Sequence, residues 1–149
     1  ALSSAASDVY KRQVTTQCTK NNGVSDGMAE FVCPLCATIH LSGSTITLTS
    51  CAMAVMVMTN QSIGFGKMFP FILMLGVTMV AAPGVPGGAV MAALGILQSM
   101  LGFDETMCGL MIALYIAQDS FGTACNVTGD GAIAVFMDAI TGKKKAAAE

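Results

Sequence analysis

Three observations in the sequence predict an all-α membrane protein. The chain has 149 residues, 54% of them hydrophobic and 11% charged, with a mean hydropathy of +0.68, far from the composition of an ordinary soluble domain. Two stretches of 36 residues, between Glu30 and Lys67 and between Lys67 and Asp104, contain no Asp, Glu, Lys or Arg. One straight crossing of a bilayer needs only about 20 apolar residues, so each stretch must be interrupted. The interruptions themselves are legible: His40, Ser42, Gly43 and Ser44 break the first, and Pro83, Gly84, Pro86, Gly87 and Gly88 crowd the middle of the second.

Charge placement orients these elements. Lys11, Arg12, Lys20, Lys143, Lys144 and Lys145 lie near the two ends, leaving Lys67 as the one interior cation. Positive residues favour the cytoplasmic side, so both ends are expected there, with an even number of full crossings and with Lys67, Asp104 and Glu105 outside. A net charge of −2 with no basic stripe excludes a nucleic-acid partner. The expected setting is a cytoplasmic membrane.

Taken in order, residues 1–13, "ALSSAASDVYKRQ", have no apolar core, read as a non-native scar on a truncated chain, and are set aside from the fold. Residues 14–27 carry the turn chemistry of Asn-Asn-Gly and Asp-Gly and are expected as a cytoplasmic loop. Residues 28–62 are expected as an interrupted helix, because non-helical backbone at membrane depth is tolerated only where protein or a water-filled site buries it. Residues 67–102 divide into two apolar halves, each too short to span alone, around a tip at 82–88 where two prolines end any helix. A re-entrant hairpin satisfies both constraints and places its feet outside. Residues 104–141 form a final helix, expected to be interrupted or curved, followed by a cytoplasmic tail at 143–149.

The final helix carries the chemistry. Asp119, Thr123, Asn126 and Asp130 are offset by 4, 7 and 11 residues, which at ~100° per residue places them within about 60° of one another. Charged groups at membrane depth cost on the order of 3 kcal/mol unless partnered, and they mark ion or substrate paths. With no Lys or Arg nearby, the two carboxylates are expected to need a bound monovalent cation. The bland alternative is interhelical hydrogen bonding that only holds a bundle together. His40 is read as a satisfied interior histidine rather than a metal ligand through its ring, there being no second His. Cys33-Pro-Leu-Cys36 has redox or zinc spacing, but its apolar flanks predict inert thiols and no enzyme. A membrane thiol oxidoreductase and a non-transporting or channel-like subunit stand as rival readings.

Three ordered blocks carry a family resemblance. "FVCPLCATIHLSG" is similar to the interrupted seventh helix of the dicarboxylate/amino acid:cation symporters, the glutamate transporter superfamily, usually written PLGATINMDG. "AAPGVPGGAVMAAL" resembles that family's second re-entrant hairpin, "DSFGTACNVTGDG" its eighth helix, and "CTKNNGV" the loop after its first hairpin. The resemblance spans residues 14–142 and implies the C-terminal transport core of a sodium-coupled carrier, moving as an elevator within a homotrimer. It implies that Asp119 takes the substrate's amino group, that Thr123 and Asn126 contact its polar groups, and that Pro83, Gly84 and Val85 close over it. It further implies one sodium site from Asp130 with carbonyls of Cys36, His40 and Asn126, and a second from Thr38, Ala82 and carbonyls of Met79 and Val80. Carriers of acidic amino acids in this family place Arg where this chain has Gly122, so a second substrate carboxylate would be buried unpaired. A small neutral amino acid is therefore expected, and the eighth-helix block most resembles the bacterial serine/threonine:sodium symporters. His40 and Ser42 stand where the family motif has Asn and Asp, so a third sodium site is expected to be altered or absent.

Overall fold

A computed structural model describes residues 7–82, 85 and 87–146, all of whose regular structure is helical. Helix α1 spans Ser7–Asn21, α2 Asp26–Ile39, α3 Ser42–Met58, α4 Phe65–Val80, α5 Gly88–Ile96 and α6 Glu105–Ala146. A π-helical segment, Leu97–Leu101, continues α5.

Helix α1 departs from the reading of residues 14–27 as a loop, and its first turns lie in the segment read as a scar. Polar helices escape apolar periodicity, and this one is held by neighbours. Thr15 and Thr19 are buried, and the Cys33 thiol meets the Thr19 hydroxyl at 3.4 Å. The predicted turn is where Asn-Asn-Gly put it: Gly23 has φ +90°, with Gly23 N–H donating to the Lys20 carbonyl at 2.9 Å.

Helices α2 and α3 are the interrupted element. Pro34 lies inside α2, and the chain leaves helix at His40 and Leu41 before α3 begins. Helix α3 ends on Asn60 at φ +55°, where Asn60 N–H reaches the Val57 carbonyl at 3.1 Å and Gln61 N–H the Met56 carbonyl at 2.8 Å. This is a Schellman closure with Asn as its left-handed residue. The stretch Asp26–Met58 is the one long and apolar enough to cross a membrane among the described residues, while Phe65–Val80 and Gly88–Leu101 are apolar but shorter.

Helices α4 and α5 form a helix-turn-helix hairpin whose feet are tied by Lys67, with Nζ donating to the Leu101 carbonyl at 3.0 Å. The π turn ends on Gly102 at φ +74°, and Asp104 then caps α6 by accepting Met107 N–H at 2.8 Å. Pro83, Gly84 and Pro86 of the expected tip lie outside the described residues; Val85 is half-exposed in a bend.

Helix α6 is continuous over 42 residues, without the interruption that was one of the two expected forms. At ~1.5 Å per residue it is about 63 Å long, twice the hydrocarbon thickness of about 30 Å. Its length lets it join two cores. Its first half packs with α3, α4 and α5 around Leu48, Val55, Phe71, Leu75, Leu97 and Met111. Farther along, Ala134 packs with Val24, Ala29, Val32 and Cys33 of the α1–α2 end.

Candidate functional site

The seam between the two cores is polar, and it lies where α6 passes the break between α2 and α3. Breaking a helix frees the first N–H groups of the next one. Here Asn126 takes them up: its Oδ1 accepts Gly43 N–H at 2.8 Å and Ser44 N–H at 3.4 Å, while its Nδ2 donates to Ser44 Oγ at 2.9 Å. Asn126 and Ser44 are both buried, so these bonds satisfy groups that lipid could not.

One turn further, Asp130 is 4% exposed and its Oδ1 stands 2.9 Å from His40 Nδ1. Against an ionised Asp130 the proton of that bond would sit on Nδ1, since a carboxylate only accepts. This corrects the expectation that both carboxylates lack a protein partner: the break between α2 and α3 lies beside α6 and sets His40 against Asp130, 90 residues away in sequence. Asp119 is half-buried and takes part in no salt bridge among the described residues.

Close approach of α3 to α6 depends on glycine. A Cβ on Gly43 would run into the Gly122 carbonyl and come within 2.6 Å of the Cys125 Cβ, and one on Gly122 would lie 3.1 Å from Thr47 Oγ1. A Cβ on Gly129 would strike the His40 imidazole. The three glycines therefore make room for the contacts that define the seam.

Of the expected site residues, Thr123, Asn126 and Asp130 are buried on α6, and Cys36 of the expected first cation set is buried on α2. His40 N–H donates to the Cys36 carbonyl at 2.8 Å, and His40 also meets Asp130. The residues of the expected second set differ in exposure. Thr38 is exposed and its hydroxyl bonds back to the Leu35 carbonyl at 2.7 Å; Met79 is buried, Val80 exposed and Ala82 partly buried. Helices α2 and α4 touch, yet no hydrogen bond among the described residues joins Thr38 to 79–82. Val85 of the expected gate is half-exposed, and Pro83 and Gly84 are outside the described residues.

Two residues that sequence reasoning passed over belong to the seam. Ser44 was read only as a helix breaker, although it pairs with Asn126. Tyr115 is 1% exposed, and its hydroxyl lies beside Ser44 and Asp119 without reaching hydrogen-bond geometry to either. Its offset of four residues before Asp119 places it on the same face of α6, a signal the polar-stripe count left out.

Comparison with known proteins identifies the arrangement. The sequence profile described as the sodium:dicarboxylate symporter family matches residues 3–140, beginning inside the segment set aside as a scar. The chain is 29% identical over 111 residues to neutral amino acid transporter A of Homo sapiens, covering 74% of this chain and 21% of that protein. It is 27% identical over 111 residues to neutral amino acid transporter B(0) of Homo sapiens, covering 74% and 20%. It is 28% identical over 125 residues to excitatory amino acid transporter 5 of Mus musculus, covering 83% and 22%. The chain thus spans about a fifth of the length of these relatives. The polar seam at a broken helix and the family-wide match lead to one conclusion: this chain belongs to the sodium:dicarboxylate symporter family, a family of membrane transporters.

Proposed function

We propose that the full-length parent of this chain carries small neutral amino acids, serine or threonine, into the cell together with sodium. In this reading Asp119 receives the substrate ammonium, Thr123 and Asn126 its polar groups, and the 82–88 turn closes over it as the tip of a re-entrant hairpin. Asp130 with carbonyls of Cys36, His40 and Asn126 holds one sodium, and Thr38, Met79, Val80 and Ala82 serve a second. Closure driven by joint binding couples the two fluxes, because a ligand shifts a conformational equilibrium only by its differential affinity. The parent is read as a homotrimer in a bacterial cytoplasmic membrane, with both ends of this segment cytoplasmic and the fragment alone inactive.

The observation that carries the neutral-substrate reading is Gly122. It packs directly against Gly43 and Thr47, one residue before Thr123, and leaves no cation to receive a second substrate carboxylate there. The transporters of neutral amino acids among the relatives support the same reading. A second reading, an acidic amino acid or dicarboxylate as substrate, draws on the excitatory amino acid transporters among the relatives and on the family's description.

The test is uptake by the full-length parent in proteoliposomes. An inward sodium gradient should drive serine or threonine accumulation, aspartate and succinate should not compete, and Asp119→Asn should abolish amino-acid binding. Aspartate uptake would favour the second reading. No sodium-dependent uptake, with Asp119→Asn changing nothing, would return the chain to a structural or channel-like role.

A further inference from the structure

We infer that Tyr115 is a specificity-determining residue that selects substrates bearing a side-chain hydroxyl; this rests on the neutral amino acid reading above. The ring of Tyr115 is packed in the main core with Leu48, Cys51 and Met111, and only its hydroxyl reaches the polar seam. That hydroxyl is buried and has no partner at hydrogen-bond geometry among the described residues. Buried polar atoms are almost always paired, so an orphan one turn from Asp119 points to a group that arrives with a ligand.

The neighbours restrict what that group is. Ser44 Oγ already accepts from Asn126 Nδ2, which leaves the Ser44 proton free to donate. Asp119 offers acceptors only. The cluster of Tyr115, Ser44 and Asp119 therefore combines two hydroxyl donors with a carboxylate acceptor. A substrate ammonium has donors alone and cannot receive the Tyr115 proton. A second carboxylate would stand against Asp119 with like charge. A methyl group would leave Tyr115 and Ser44 unpaired. A hydroxyl accepts from either donor, gives its own proton to Asp119 and adds no charge, so it completes all three, a capacity it shares among common neutral side chains only with the bulkier carboxamide.

Sites that hydrogen-bond a substrate hydroxyl reject the analogue lacking it more strongly than apolar pockets sort by size. The experiment compares serine with alanine uptake by the full-length parent and by Tyr115→Phe in proteoliposomes. Removing an unpaired hydroxyl should leave folding and sodium dependence intact and lower alanine uptake less than serine uptake. The serine-to-alanine ratio of kcat/KM should fall by roughly tenfold or more, carried by serine. Ser44→Ala should move the ratio in the same direction. An unchanged ratio in a Tyr115→Phe protein that still transports serine would overturn the inference. So would a parallel loss for both substrates, which would make Tyr115 structural. If the unaltered parent moves aspartate and neither serine nor alanine, the neutral-substrate reading itself falls, a result distinct from an unchanged ratio.

Discussion

Asn126 shows how one side chain can hold a break open. Its amide supplies an acceptor to two freed N–H groups and a donor to Ser44, all buried. An aliphatic residue there would leave those groups unsatisfied, at a cost of about 1–3 kcal/mol. Asn126→Ala should therefore lower the thermal midpoint of the detergent-solubilised parent. Asn126→Asp keeps an acceptor at the start of α3 and should lose less. Asp130 and His40 follow the same logic of mutual satisfaction. The Asp119, Thr123, Asn126 and Asp130 stripe was legible from spacing alone, because helical period depends on no tertiary contact. The His40 partner was not, since a pair 90 residues apart leaves no local pattern.

At the scale of elements, α3 and α6 approach closely because Gly43 and Gly122 face each other. Adding a methyl group at Gly43 forces the backbones apart, and overpacking of this kind costs typically about 1–3 kcal/mol. Gly66 in α4 offers the control, with nothing within 4 Å of an added Cβ. Gly66→Ala should gain up to about 1 kcal/mol from helix propensity. Parallel melting curves would show the two substitutions moving in opposite directions; equal shifts would mean that the α3–α6 contact is not tight. The interrupted helix and the break between α4 and α5 were readable because polar residues, proline and glycine punctuate apolar runs. Helix α1 was missed because its support comes from α2 and α6, which packing alone reveals.

Across the whole molecule, polar ties gather at the end away from the hairpin. Lys20 pairs with Glu30 at 2.6 Å and with Asp26 at 3.4 Å, and the Ser25 hydroxyl donates to Asp138 on α6 at 2.5 Å. The Glu30 hydrogen bond, with Asp26 adding to it, raises the Lys20 ammonium above its ordinary value of 10.5. A raised lysine contributes stability that is fully present below the unfolded value and is lost as pH rises through the folded one. Alkaline titration should accordingly weaken the α1–α2 contact only above the ordinary lysine range. Glu30→Gln should bring the Lys20 titration, followed by nitrogen-15 NMR, back toward 10.5. An unchanged titration would show that the pair does not persist in solution.

By itself the sequence determined the helical class, the places where helices must break and the face of α6 that carries polar groups. Composition, proline, glycine and helical period act locally, so they can be read without a fold. Tertiary structure alone decided that Asp130 has a protein partner, that Asn126 caps α3 and that the Tyr115 hydroxyl is left without a partner at bonding geometry among the described residues. Those outcomes depend on which distant groups meet at the seam, and that is set by how closely glycine lets α3 approach α6.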